Sequence, residues 1–129
     1  DFYVKGFVWG YSPRGENYNY NLWGQPDDFI RKVEKAIAEL LPSGDISDDK
    51  VADALFMSTR TLQRRLSVEG LTYKQILESV RHTLAEQYIR DERLSLNEIS
   101  YLLGFSEQSS FSRAFKRWTG KSPSEARRE

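Results

Sequence analysis

The chain has no cysteine, one histidine and one methionine among its 129 residues. Without cysteine there is no disulfide framework and no thiolate nucleophile or metal ligand. The single histidine, His82, cannot make a usual zinc site alone; it reads as a solvated helix residue. Long apolar runs are also missing. Nothing approaches the roughly 20 residues that span a bilayer, and the apolar stretch near the start is short and broken by Lys5, Gly6 and Gly10, unlike a signal peptide. A location in the reducing cytoplasm is expected, with no membrane partner. Because Asp1 rather than Met opens the chain, it is expected to be part of a longer protein. No glycine-rich phosphate loop or Gly-x-Ser-x-Gly occurs, and the carboxylate pairs Asp48–Asp49 and Asp91–Glu92 read as capping or solvated charge. With no nucleophile and base to assemble, neither an enzyme nor a cofactor is expected.

Net charge is lacking too: 19 basic side chains balance 19 acidic ones. The distribution is uneven. Residues 1–57 carry 6 basic and 10 acidic groups, and residues 58–129 carry 13 basic and 9 acidic. The neutral total hides a basic C-terminal half that suits a polyanionic partner and an acidic N-terminal half that does not.

The length allows one compact domain or two small lobes. Residues 1–25 stand apart. They hold Phe2, Tyr3, Phe7, Trp9, Tyr11, Tyr18, Tyr20 and Trp23, with Gly, Pro and Asn at turn-like positions and no helical periodicity. They read as an irregular aromatic-rich tail or the remnant of a preceding domain. From Asp27 the pattern is helical. Phe29, Val33, Ile37 and Leu40 make one face of a first helix, ended by Pro42, Ser43 and Gly44. Short helices follow over 48–56 and 59–69, stopped by Gly70. Thr72 with Gln75 forms a capping box that opens a helix to about Arg90, striped by Tyr73, Ile76, Leu77, Val80, Leu84 and Tyr88. Ser95 with Glu98 and Ser122 with Glu125 are two further capping boxes, Pro123 occupies a first helical position, and residues 107–119 make a helix with Phe111, Phe115 and Trp118 inward. The result is an all-α chain of seven helices, with residues 26–129 forming one domain.

Two segments repeat. Lys50 to Leu55 aligns with Glu98 to Leu103 at an offset of 48; beyond the turn, Leu62, Arg64 and Leu66 align with Phe111, Arg113 and Phe115 at an offset of 49. The extra residue falls in the turn, and Ser58 and Ser106 read as the N-caps of the helices that follow. Each copy is a short helix, a tight turn and a second helix. That is the requirement of a helix-turn-helix, whose second helix offers its outer face to a DNA major groove about 12 Å wide. A connecting helix of about twenty residues measures roughly 30 Å, close to the ~34 Å repeat of grooves on one face of B-DNA. The two helix-turn-helix units joined by a long linker helix would read a double-stranded site of about 20 base pairs.

These residues resemble the AraC/XylS family of transcription regulators. The matching elements are Ile99, Leu103-Gly104-Phe105, Phe111 with Arg113 and Phe115, and Gly120 with Ser122-Pro123; Met57 to Leu66 is similar to that family's first recognition helix, and Arg81 with Ala85 also fits. The resemblance covers about residues 27–128. It implies a C-terminal DNA-binding domain, acting in transcription, fused to a variable N-terminal effector or oligomerisation domain that is mostly absent here.

Candidate DNA contacts follow. Arg60, Thr61, Gln63 and Arg64 lie on the outward face of the first recognition helix; arginine suits guanine O6 and N7, glutamine adenine N6 and N7. Taken in isolation, the same face reads equally as an ordinary solvated one. Gln108, Ser109, Ser112 and Arg113 hold the matching positions of the second unit, where the resemblance leaves bases and phosphates open. Lys116 and Arg117 face phosphates. Arg81 is divided between phosphate contact and an internal salt bridge, and Arg65 packs or pairs locally. The acidic N-terminal half suits a protein partner such as RNA polymerase or the missing domain. The tail's aromatics pack against that domain more readily than they stack on nucleic acid, given Asn19, Asn21 and few basic charges nearby.

Overall fold

A computed structural model of the chain describes residues 28–129; the expectations for the aromatic-rich segment 1–25 and for a helix start at Asp27 lie outside them. Among the described residues there are seven α-helices and no strand: α1 Asp28–Leu40, α2 Asp48–Ala54, α3 Thr59–Val68, α4 Tyr73–Ile89, α5 Leu96–Leu102, α6 Gln108–Thr119 and α7 Pro123–Arg128. A single 3-10 turn, Leu41–Ser43, follows α1, with Pro42 in its first positions.

Local chemistry sets most of the helix ends. All three expected capping boxes form. Thr72 accepts from the Gln75 amide while the Gln75 side chain accepts from the Thr72 amide, and the same reciprocal pair joins Ser95 to Glu98 and Ser122 to Glu125. Each satisfies two amide donors that a helix start leaves without an intrahelical partner. Helix α2 stops two residues earlier than its pattern suggests, because Phe56 turns to a left-handed backbone at φ 60°. Helix α4 runs 17 residues, about 25 Å rather than 30 Å.

The apolar stripes bury in two clusters. The first gathers Val33, Ile37, Leu41, Val51, Leu62, Leu66 and Ile76 from α1, the 3-10 turn, α2, α3 and the start of α4. The second gathers Ala85, Ile89, Ile99, Leu103, Phe111 and Phe115 from the end of α4 and α5–α6. Helix α4 supplies both, and Leu84 packs against each. Its modest amphipathicity follows: Ile76 and Val80 face one lobe, Ala85 and Ile89 the other. At the seam, Gly104 in the second turn lies so close to Leu41 that an added Cβ would stand 3.0 Å from the Leu41 carbonyl oxygen.

Candidate nucleic-acid interface

Ser58 starts the first recognition helix, α3. Its hydroxyl accepts from the Thr61 amide at 3.1 Å and donates to the Thr61 hydroxyl at 3.0 Å. Thr61 is therefore half-buried and engaged with its own cap. Leu62 and Leu66 are fully buried, and this orients the helix: Arg60, Gln63 and Arg64 are exposed on the other side. Among the described residues, no hydrogen bond or ion pair holds Arg60 or Arg64. Gln63 is held: its amide nitrogen donates to Asp48 Oδ2 at 3.0 Å, beside a bond from the Thr59 hydroxyl to Asp49 Oδ1 at 2.5 Å. Arg65 packs over the Phe29 ring with its guanidinium carbon 3.9 Å from the centroid, the local role its sequence position suggested.

The second recognition helix, α6, begins differently. Ser106 was the expected cap. The helix instead starts after Glu107, whose side chain makes no cap bond. The one-residue change of offset explains this, since Glu107, not Ser106, stands 49 residues after Ser58. Ser100 donates to the Glu107 carbonyl at 3.1 Å and Ser109 to its carboxylate at 3.1 Å. Phe111, Ala114 and Phe115 are buried, which leaves Gln108, Ser109, Arg113 and Lys116 exposed and Ser112 half-buried. Arg113 makes one long contact, 3.5 Å, to the Ser110 hydroxyl.

Two expected phosphate ligands are occupied within the protein. Arg117 pairs with Glu78 of α4, and Trp118 Nε1 donates to the same carboxylate at 2.8 Å. Those bonds, Arg117's first, hold the Glu78 carboxyl below its ordinary range. Trp118, expected in the core, sits half-buried at its edge and stacks on His82 at 5.2 Å. His82, expected to be solvated, lies between that ring and Glu86, 3.3 Å away. Arg81 follows neither reading proposed for it. Its Nε donates to the Leu103 carbonyl at 2.8 Å and its Nη2 to the Gly104 carbonyl at 3.3 Å, over the Phe105 ring. It caps the C-terminal end of α5, where unpaired carbonyls collect, and its burial lowers its pKa.

Arg127 carried no sequence signal. From α7 its guanidinium donates to the carbonyls of Ile89 at 3.1 Å, Leu94 at 2.6 Å, Asp91 at 3.1 Å and Tyr88 at 3.4 Å. These partners lie 33 to 39 residues away, beyond any local pattern. The uncommitted cations of the outward faces are then Arg60, Arg64 and Lys116, with Arg113 weakly tethered. Among the described residues no group of acidic, histidine or cysteine side chains suits a metal ion, and no helix is long and apolar enough to cross a membrane.

Comparison with known proteins agrees with this architecture. A family profile described as a helix-turn-helix domain matches residues 51–129. The chain is 49% identical over 85 residues to the ornithine utilization regulator of Pseudomonas aeruginosa, covering 65% of this chain and 25% of that one. It thus spans about a quarter of that relative's length. Among solved structures, the transcriptional regulator CdpR of P. aeruginosa superposes with a TM-score of 0.67 at 40% identity, over 78% of this chain and 32% of that chain. A DNA-binding transcriptional dual regulator of Escherichia coli K-12 superposes at 0.73 with 25% identity, over 81% of this chain and 92% of that one. With its duplicated helix-turn-helix units and this match over more than half its length, the chain belongs to the AraC-type helix-turn-helix family of DNA-binding transcription regulators.

Proposed function

We propose that this domain binds promoter DNA sequence-specifically by laying α3 and α6 into two consecutive major grooves, as one chain and without catalysis. The observation that carries this is the pair of recognition helices, each with a buried apolar face and an outward face carrying arginine and glutamine, joined in α6 by Lys116, built onto one connecting helix. Arg60 and Arg64 supply direct base readout from α3; Gln108, Ser109, Ser112, Arg113 and Lys116 supply base and phosphate contacts from α6. The connecting helix α4, about 25 Å long, is shorter than the ~34 Å groove repeat. A salt-titrated binding assay tests the reading. DNA chosen by selection from random sequence should bind on the order of 10³-fold more tightly than a scrambled duplex; equal affinity at every salt concentration removes the claim of specificity.

A protein-contact role for the first lobe stands beside this one. Phe56 is 95% exposed and Val68 81% exposed, and residues 1–57 are acidic in balance. Such a surface suits the effector or oligomerisation domain of a longer protein, or RNA polymerase, better than it suits a duplex, all within the cytoplasm. Phe56→Ser that keeps DNA affinity and abolishes activation in a full-length regulator supports this role; unchanged activation removes it.

A further inference from the structure

The bond between Gln63 and Asp48 restricts what the first recognition helix can read. A carboxylate only accepts hydrogen bonds. Whichever way the amide of Gln63 is drawn, its nitrogen must therefore be the end that faces Asp48, at 3.0 Å. The contact links α3 to the first turn of α2 across 15 residues of sequence, and α2 is itself fixed by Ser47, which accepts from the Lys50 amide, and by buried Val51 and Ala52. Asp48 is thus a stationary anchor rather than a wandering surface charge. With the nitrogen tied back and one of its two N–H donors spent on Asp48, the carbonyl oxygen is the end of the Gln63 amide that makes no bond to α2.

We propose that Asp48 is a specificity-determining residue of α3, acting through Gln63, which it makes a reader of base amino groups. This rests on the reading of α3 as a base-contacting helix. In the major groove, adenine N6 and cytosine N4 are the amino donors, whereas thymine O4 and guanine O6 are oxygens at the corresponding place. A fixed carbonyl oxygen accepts from the first pair and meets the second oxygen to oxygen. One position of the α3 half-site is then biased toward adenine or cytosine on the contacted strand. Without Asp48 the amide is free to flip and present its nitrogen, which satisfies thymine or guanine equally well.

The experiment is selection of bound duplexes from a randomised pool, followed by affinity measurements on the four single-base variants at each position. It uses the wild-type chain, Asp48→Asn, Gln63→Ala and Asp49→Asn. An asparagine at 48 both donates and accepts, so it releases the amide while nearly preserving shape. The wild type should favour adenine or cytosine at one position by on the order of tenfold. Asp48→Asn and Gln63→Ala should each reduce that preference to within about twofold, at that position alone. Asp49→Asn removes the same charge one residue along and should leave the preference standing. If Asp48→Asn keeps the preference, or if it and Asp49→Asn merely strengthen binding to every sequence alike, Asp48 is only a charge and the proposal fails. A wild type with no preference at any position would instead remove base reading by α3 itself. Equal melting temperatures of the variants show that any lost preference is not lost folding; a variant that melts early is replaced by Asp48→Ser, for which the same outcomes decide.

Discussion

Phe56 and Gly104 hold the same place in the two helix-turn-helix turns, 48 residues apart, and both have left-handed backbones, at φ 60° and 81°. Glycine adopts this conformation freely, whereas another L-residue is disfavoured there by about 1–2 kcal/mol. Phe56 offers little in return, since its ring is 95% exposed. Phe56→Gly is therefore expected to stabilise the domain by about 0.5–1 kcal/mol, the relief of strain less the entropy of a glycine. Gly104→Ala should do the opposite, costing about 2 kcal/mol or more, because its Cβ would press on the Leu41 carbonyl as well. Thermal unfolding of both variants checks the pair; a lower melting temperature for Phe56→Gly would show that the ring packs after all.

Arg127 closes the end of α4 much as Arg81 closes the end of α5. One guanidinium serves the carbonyls of Tyr88, Ile89, Asp91 and Leu94. Removing it strands partly buried acceptors, a loss expected to cost about 2–4 kcal/mol. Arg127→Lys should recover only a minor part, because an ammonium is a compact point charge without the planar fork that spans several acceptors. Denaturant unfolding measures both, and hydrogen exchange should place the loosened amides in the second lobe. A loss below about 0.5 kcal/mol, the usual range of a surface substitution, would mean that water replaces the side chain.

These two arginines show what was legible in the sequence and what was not. A cap is a conversation between residues three apart, so Thr72–Gln75, Ser95–Glu98 and Ser122–Glu125 could be read directly, and helical periodicity separated Leu62 and Leu66 from Arg60, Gln63 and Arg64. Likewise the repeat and the family resemblance anticipated two helix-turn-helix units on one linker. The commitments of individual polar side chains were hidden, because they are tertiary: Arg81 reaches 22 residues to Leu103, Arg117 reaches 39 to Glu78, and Gln63 reaches 15 to Asp48. The cap of α6 was misplaced by one residue because the repeat lengthens inside the turn, where local pattern is weakest.

Glu78 makes the second lobe sensitive to acid. Arg117 and Trp118 favour its ionised form, so its folded pKa lies below the unfolded value, near 4.5. As pH falls, the unfolded chain takes up the proton first. The stabilisation from Glu78 is complete above the unfolded value and disappears as pH drops through the folded one. Wild type should therefore melt above Glu78→Gln at neutral pH, and the gap should close below about pH 4.5. Comparing the wild type with Glu78→Gln cancels the other depressed carboxyls among the described residues, Glu86, Asp91 and Glu125. A gap that stays constant from pH 7 to pH 3 would assign the effect to shape rather than charge.

Arg64 and Lys116 are the residues on which the proposed binding mode can be split into base contact and phosphate contact. Arg64 is exposed, uncommitted among the described residues and on the same outward face as Gln63, a place for bidentate contact with guanine. Arg64→Ala is expected to cost about 1–3 kcal/mol on the selected duplex and little on a scrambled one, thereby relaxing preference at one position. Lys116 lies exposed two turns along α6, where the proposed binding mode sets its compact charge against phosphate. Lys116→Ala should weaken binding to both duplexes alike and reduce the slope of log affinity against log salt by about one. The two variants are distinguished by repeating the titration on each duplex. If Arg64→Ala also lowers the salt slope and treats both duplexes equally, Arg64 grips the backbone and base readout by α3 passes to Arg60 and Gln63.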